Sequence, residues 1–190
     1  MKTTIIIAHP WDGSFNKAIL KEITTQVPDH YVIDLCKDGF DPVLSEQDLA
    51  IYNEGKSTDP LVKKYNEILD DTNRLLFVFP IWWYDMPAIL KGFFDKVLLV
   101  NSAYAADDKS LTALRHISET YVITTSFAST EDIVEKFGDP IQGTWINATF
   151  EMVGFHNAKW MNLGRIESST EEERKAYLAQ IKEVLAENAE

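Results

Sequence analysis

Apolar residues run along the chain in short blocks, each closed by a polar, proline or glycine break. Thr4 to Ala8 (TIIIA) is a continuous β-branched block, the pattern of a strand buried on both faces of a parallel sheet. Ile19, Ile23 and Val27 then recur every four residues, which predicts a helix from Phe15 to Gln26 that Pro28-Asp29 stops. Tyr31 to Leu35 is the second strand. Ser45 to Tyr52 reads as a short helix with Ser45 as N-cap and Asp48 in its first turn. Pro60 to Leu69 reads as a helix with proline at its first position and Leu61, Tyr65, Ile68 and Leu69 on one face. Arg74 to Phe79 is the third strand, Pro87 to Leu98 the next helix and Tyr121 to Thr125 the fourth strand. Pro140 to Val153 reads as a helix ended by Gly154, and Phe155 to Leu163 as the fifth strand. Ser169-Thr170-Glu171-Glu172 reads as the capping box of a last helix that continues to the C-terminus.

Five alternations of strand and helix predict an α/β fold with a parallel sheet covered by helices on both faces. No repeat or linker interrupts the pattern, so residues 1–190 are expected to form one domain. Ligands of such sheets bind beyond the carboxyl ends of the strands, at the switch point. The loops of interest are therefore His9 to Ser14, Pro80 to Met86 and Thr125 to Thr130.

Composition narrows the choice of ligand. The formal net charge of -12 argues against nonspecific binding to nucleic acid or anionic lipid. It leaves room for small anions, which backbone N–H groups can hold on an acidic protein. The single cysteine, Cys36, cannot form an intramolecular disulfide, which fits a reducing cytoplasm and a small packed side chain. Met1-Lys2-Thr3-Thr4 leads into an apolar run that His9-Pro10 ends, unlike a signal peptide. No apolar stretch is long enough to span a bilayer.

The first loop, AHPWDGSFNKAIL, contains one glycine and no Gly-Lys-Ser/Thr, so it is neither a dinucleotide fingerprint nor a Walker loop. Ser14 and Asn16 stand where they can cap the helix. Alternatively, the helix-start N–H groups, the Ser14 hydroxyl and His9 surround an anion. The third loop places Trp82-Trp83-Tyr84 between Pro80 and Pro87. Its rings either pack as a core cluster or wall a flat heterocycle held by the N–H groups of Ile81 to Tyr84.

Three segments together resemble the flavodoxin-like NAD(P)H:quinone oxidoreductases. They are AHPWDGSFNKAIL, DLCKDGFDPVLSEQD and PIWWYDMPAILKGFFDKVL, in the family's order and covering most of residues 1 to 100. The resemblance implies a flavodoxin-like five-stranded sheet of order 2-1-3-4-5 and a bound flavin. Its phosphate would lie at His9, Ser14, Phe15 and Asn16. The ring system would lie against Pro80, Ile81, Trp82, Trp83 and Tyr84, and on the other side against Thr125 and Ser126. FMN is expected, with FAD the alternative. NADH or NADPH would deliver hydride to flavin N5, and a quinone-like acceptor would then collect it, in ping-pong order.

The family carries Thr-Thr-Gly-Gly after the fourth strand, whereas this chain has Thr124-Thr125-Ser126-Phe127. The tyrosine and histidine that larger animal members use have no counterpart between Ala128 and Thr144, so no catalytic acid or base carries over. The wide apolar arc of Ile89, Leu90, Phe93, Phe94, Val97 and Leu98 points to a homodimer interface, or else to cover by the loop Asn101 to Lys109. Two other roles share the fold: an electron-carrying flavodoxin, and a regulatory subunit of a potassium-efflux system.

Overall fold

The computed structural model describes residues 1–107 and 110–187. In chain order the elements are β1 (Thr3–Ile7), α1 (Phe15–Gln26), β2 (His30–Asp34), α2 (Glu46–Ile51), α3 (Pro60–Asp70) and β3 (Arg74–Ile81). They continue with α4 (Ala88–Val97), β4 (Tyr104–Ala106), β5 (Leu111–Ala113), β6 (Glu119–Ser126), α5 (Glu151–Val153), β7 (Lys159–Leu163) and α6 (Glu171–Glu187). The main sheet is parallel throughout, in the order β2-β1-β3-β6-β7, which is the expected 2-1-3-4-5 flavodoxin-like arrangement.

Side-chain alternation along the central strands builds two cores. Ile5 and Ile7 of β1 and Leu76 and Val78 of β3 pack with Ile19 and Ile23 of α1 and Tyr177, Ile181 and Leu185 of α6. Ile6, Phe77 and Phe79 face the opposite way, towards Tyr65 of α3, Phe93 of α4 and Trp145. On that side Phe77 stacks on Phe150 at 5.4 Å and meets Phe94 edge-on at 5.5 Å. With β1 and β3 buried along their whole length, the central strands have no wet face, hence the uninterrupted apolar blocks.

Several expectations change in detail. Residues Ile141–Phe150, expected as an ordinary helix, form a π-helix that passes into α5 and ends at left-handed Gly154. Its buried residues, Ile141, Trp145, Ile146 and Phe150, recur every four to five positions, matching the wider turn. Bonds also span five residues: Gln142 Nε2 donates to Asn147 Oδ1, and the Thr149 hydroxyl to the Thr144 carbonyl. The last capping box lies one residue later than read: Thr170 and Glu173 bond each other's backbone N–H, while the Ser169 hydroxyl donates to the Ile166 carbonyl. Strand β7 starts at Lys159, because Phe155 makes only an isolated bridge to Ile117.

The apolar arc of α4 is consumed within the chain. Leu90, Phe93, Phe94, Val97 and Leu98 are all buried, so the arc leaves no broad face for a partner. Gly92 lets Pro42 lie directly on the helix, where a Cβ would collide with it. After α4 comes a hairpin, β4–β5, that the sequence pattern did not reveal. Buried Arg115 anchors it to Asp70 at 2.7 Å and to Asn66. Asp108 and Lys109, the end of the expected covering loop, and residues 188–190, where the last helix was expected to continue, lie outside the described residues.

Candidate active site at the carboxyl edge of the sheet

Beyond Ile7 the sheet pairing ends with the Ala8 N–H bonded to the Val78 carbonyl, and the chain turns through His9 to Ser14 into α1. Ser14 caps this helix by accepting from the Lys17 N–H at 3.3 Å. The N–H groups of Phe15 and Asn16 in the first turn have no acceptor among the described residues. Asn16 is not a cap. The residue is 2% exposed, and its side chain points across the sheet edge, donating from Nδ2 to Thr125 Oγ1 at 3.0 Å. Its Oδ1 is a buried acceptor without a donor among the described residues, a costly state that a ligand hydroxyl would relieve.

His9 is half-buried. Its Nδ1 accepts from the Trp11 N–H at 3.1 Å, so the neutral ring carries its proton on Nε2 and can donate there. Burial, and secondarily the nearby Lys17 ammonium, hold its pKa below the usual 6.5. Lys17 itself is drawn to Asp34 at the end of β2, with Asp12 at 3.9 Å.

The loop after β3 is shorter than the sequence suggests. Pro80 and Ile81 still belong to the strand, in register with Thr125 and Ser126 of β6. Trp82 and Asp85 bond each other's backbone at 3.0 and 3.1 Å, closing a two-residue turn around Trp83 and Tyr84. The expected series of N–H donors from Ile81 to Tyr84 is therefore reduced, since the Trp82 N–H is spent on the turn. The N–H groups of Trp83 and Tyr84 remain without acceptors among the described residues.

Both turn residues have positive φ, 52° and 65°, a conformation that costs a bulky residue about 1 kcal/mol or more. The turn is held from outside. Asp85 Oδ1 accepts from the Met86 N–H at 2.7 Å and from the indole N–H of Trp145 at 3.2 Å, and Trp145 stacks on Phe79 at 4.9 Å. The Tyr84 ring lies 4.4 Å from Phe137. Of the two readings of the aromatic loop, core packing fails for Trp83, which is 94% exposed, while Trp82 meets His9 edge-on at 6.1 Å.

The third loop is pinned by Asn162 of β7, which the sequence reading missed. Its Nδ2 donates to Ser126 Oγ and Thr130 Oγ1, both at 2.9 Å, while Ser126 donates to the Ala128 carbonyl at 2.7 Å. Phe127 is left 76% exposed above the edge. The three loops thus converge, with His9, Asn16, Trp82, Thr125 and Ser126 brought together. Phe15 contributes only its backbone, because its ring packs near Tyr177 and Arg174 of α6. Neither Trp145 nor Asn162 carries a local signal, since each acts through a contact made far along the chain.

The turn geometry gives a direct test. Trp83→Gly suits a φ of 52° and removes little buried surface, so it should raise stability by up to about 1 kcal/mol in urea unfolding. A loss of more than about 1 kcal/mol would mean that the Trp83 ring is needed to hold the turn.

The family model describing the flavodoxin-like fold matches residues 1–185. A protein of Haemophilus influenzae named as an uncharacterized NAD(P)H oxidoreductase is 30% identical over 94% of this chain and 91% of its own length. The NAD(P)H:quinone oxidoreductase of Methanothermobacter marburgensis shares the fold, with a TM-score of 0.84 at 24% identity over 96% of both chains. An FMN-dependent NADH-azoreductase of Bacillus anthracis, solved with FMN, also shares it, with a TM-score of 0.77 at 17% identity over 100% and 99% of the two chains. The chain spans about half the length of the mammalian quinone dehydrogenases that it also matches. Full-length agreement in fold and sequence supports one conclusion: this chain belongs to the flavodoxin-like family of NAD(P)H oxidoreductases and quinone reductases.

Proposed function

We propose that this protein binds FMN and uses it to reduce quinones or similar flat acceptors at the expense of NADH or NADPH, in ping-pong order. The observation that carries this reading is the convergence of unpaired groups at one edge. Free N–H groups at Phe15 and Asn16, an Nε2–H on His9, an orphaned acceptor on Asn16 and free N–H groups at Trp83 and Tyr84 surround the sheet's switch point. Each needs a partner that the described residues do not supply, and the parts of FMN answer them in kind. The helix start with Ser14 and His9 would hold the phosphate, and Asn16 Oδ1 would accept from a ribityl hydroxyl. Pro80, Ile81, Trp82, Thr125 and Ser126 would border the ring system.

When bound, the flavin supplies the two-electron chemistry, and the chain supplies binding, orientation and charge. The Trp83 and Tyr84 N–H groups would donate to the carbonyl edge of the ring system and favour its more electron-rich form. Trp82, Trp83 and Tyr84 limit water and offer apolar walls to a flat acceptor. FAD remains compatible with the same first phosphate site. No helix among the described residues is long and apolar enough to cross a membrane. A reducing compartment, the cytoplasm, accords with the single cysteine.

FMN-loaded protein should oxidise NADH or NADPH stoichiometrically with an added quinone and give parallel double-reciprocal plots; no quinone-dependent oxidation with either nucleotide would overturn the assignment. His9 supplies a second check, by NMR titration. Its midpoint should lie below 6.5 in the free protein and rise when the FMN phosphate binds beside it. Because folding favours the neutral ring, the stability His9 contributes is complete above about pH 6.5 and is lost as pH falls below it. A homodimer forms part of the proposal, supported by the exposed Trp11, Trp83 and Phe127 around this edge rather than by α4. Sedimentation should return roughly twice the 21.7 kDa chain mass.

A further inference from the structure

Next to the aromatic turn, the sheet edge opens into a cleft of about 630 Å³. Its lining includes the aromatic rings of Tyr84, Phe127 and Phe137 together with the polar Ser129, Arg165 and Ser168. The volume suits a ligand of a few rings. Phe127 is 76% exposed and stands where a flat ligand can lie against it.

Arg165 sets the character of this cleft. Its backbone is left-handed, with φ 53°, an unfavourable conformation for arginine. It is held there by its N–H bond to the Ala128 carbonyl at 3.3 Å. The preceding Gly164 is pressed against the same loop, where a Cβ would come within 2.9 Å of the Ala128 oxygen and the Thr130 nitrogen. The two loops are thus locked together, and this fixes where the arginine side chain starts.

Among the described residues, the other arginines are engaged. Arg74 pairs with Glu119, Arg115 with Asp70, and Arg174 bonds Ser169 and the Ile166 carbonyl. The Arg165 guanidinium has no ion pair or hydrogen bond there, in a chain with 30 acidic residues. Two carboxylates share the cleft. Asp132 is paired with Lys136 at 2.5 Å, a bond that holds its carboxyl below the usual range with a smaller contribution from the charge of Arg165, while Glu167 is exposed to solvent and not paired with Arg165.

We propose that this cleft anchors the anionic end of an aromatic ligand through Arg165, while Tyr84, Phe127 and Phe137 hold its flat body. The inference rests on the oxidoreductase reading of the adjoining site and names the specificity determinant there. A planar guanidinium offers paired donors to phosphate, sulfonate or carboxylate. Such an anion can come from the donor, as the 2′-phosphate of NADPH, or from an acidic acceptor.

The test compares Arg165→Gln and Arg165→Lys with the natural enzyme, FMN-loaded, at low salt. One pair of substrates is NADPH against NADH with a neutral quinone. The other is 1,4-naphthoquinone-2-sulfonate against 1,4-naphthoquinone at fixed NADH. In one of the pairs, Arg165→Gln should lower the ratio of kcat/KM for the charged to the uncharged member about tenfold, and Arg165→Lys should restore part of it. The pair that responds identifies the source of the anion. Ratios unchanged in both pairs overturn the inference while leaving the oxidoreductase reading intact.

Calorimetric titration with adenosine 2′,5′-bisphosphate and with naphthalene-2-sulfonate reads the cleft without turnover. Weaker binding of either to Arg165→Gln supports the inference, and equal binding of both to the natural enzyme and the variant overturns it. An enzyme that oxidises no nicotinamide nucleotide would overturn the functional reading separately, with the titration still deciding the anion site.

Discussion

Burial of β1 and β3 on both faces is the constraint from which the rest of this structure follows. Strands with no wet face must spend their backbone groups on parallel neighbours, and their side chains must be apolar in both directions. That requirement separates α1 and α6 on one side from α3, α4 and Trp145 on the other. It also decides where chemistry can occur. N–H groups lose their partners only where the strands stop, so unpaired donors collect at the carboxyl edge, at the starts of helices and in the turn after β3.

The edge is kept in shape by contacts from distant parts of the chain. The turn at Trp83 and Tyr84 holds two bulky residues in the left-handed region, which neither would choose locally. Trp145, anchored on Phe79, reaches Asp85 beneath the turn, and Phe137 braces Tyr84. Trp145 belongs to the π-helix Ile141–Phe150, and Phe137 caps a shorter π-helix, Asp132–Lys136, a form often found beside functional sites. On the other flank Asn162 ties Ser126 to Thr130, and Asn16 bonds Thr125, so the first and third loops hold one another in place.

Charge is handled locally in a strongly acidic chain. Lys17 with Asp34 and Lys96 with Asp59 are largely buried pairs, each at a joint between elements. Such pairs contribute little net stability against their desolvation, but losing one partner would strand a charge. Their value lies in alignment: Lys96 also donates to the Asp41 carbonyl, tying α4 to the loop that carries Pro42. Arg165, by contrast, has no ion pair among the described residues, and it lines a cleft with Asp132 and Glu167.

The sequence by itself determined the order of the five sheet strands and their main helices, the parallel sheet and the three loops at its carboxyl edge. These depend on local periodicity and on proline and glycine breaks, which are written residue by residue. It also marked His9, Ser14, Thr125 and the Trp82–Tyr84 turn, through position in the pattern and through family resemblance. Only the tertiary structure decided that Asn16 faces Thr125 rather than capping its helix, that the Trp82 N–H is spent on a turn, and that the apolar arc of α4 is used internally. It alone brought in Trp145 and Asn162 and left Arg165 without an ion pair among the described residues. Those outcomes depend on which side chains meet across the fold after long stretches of chain, and local propensity carries no information about that.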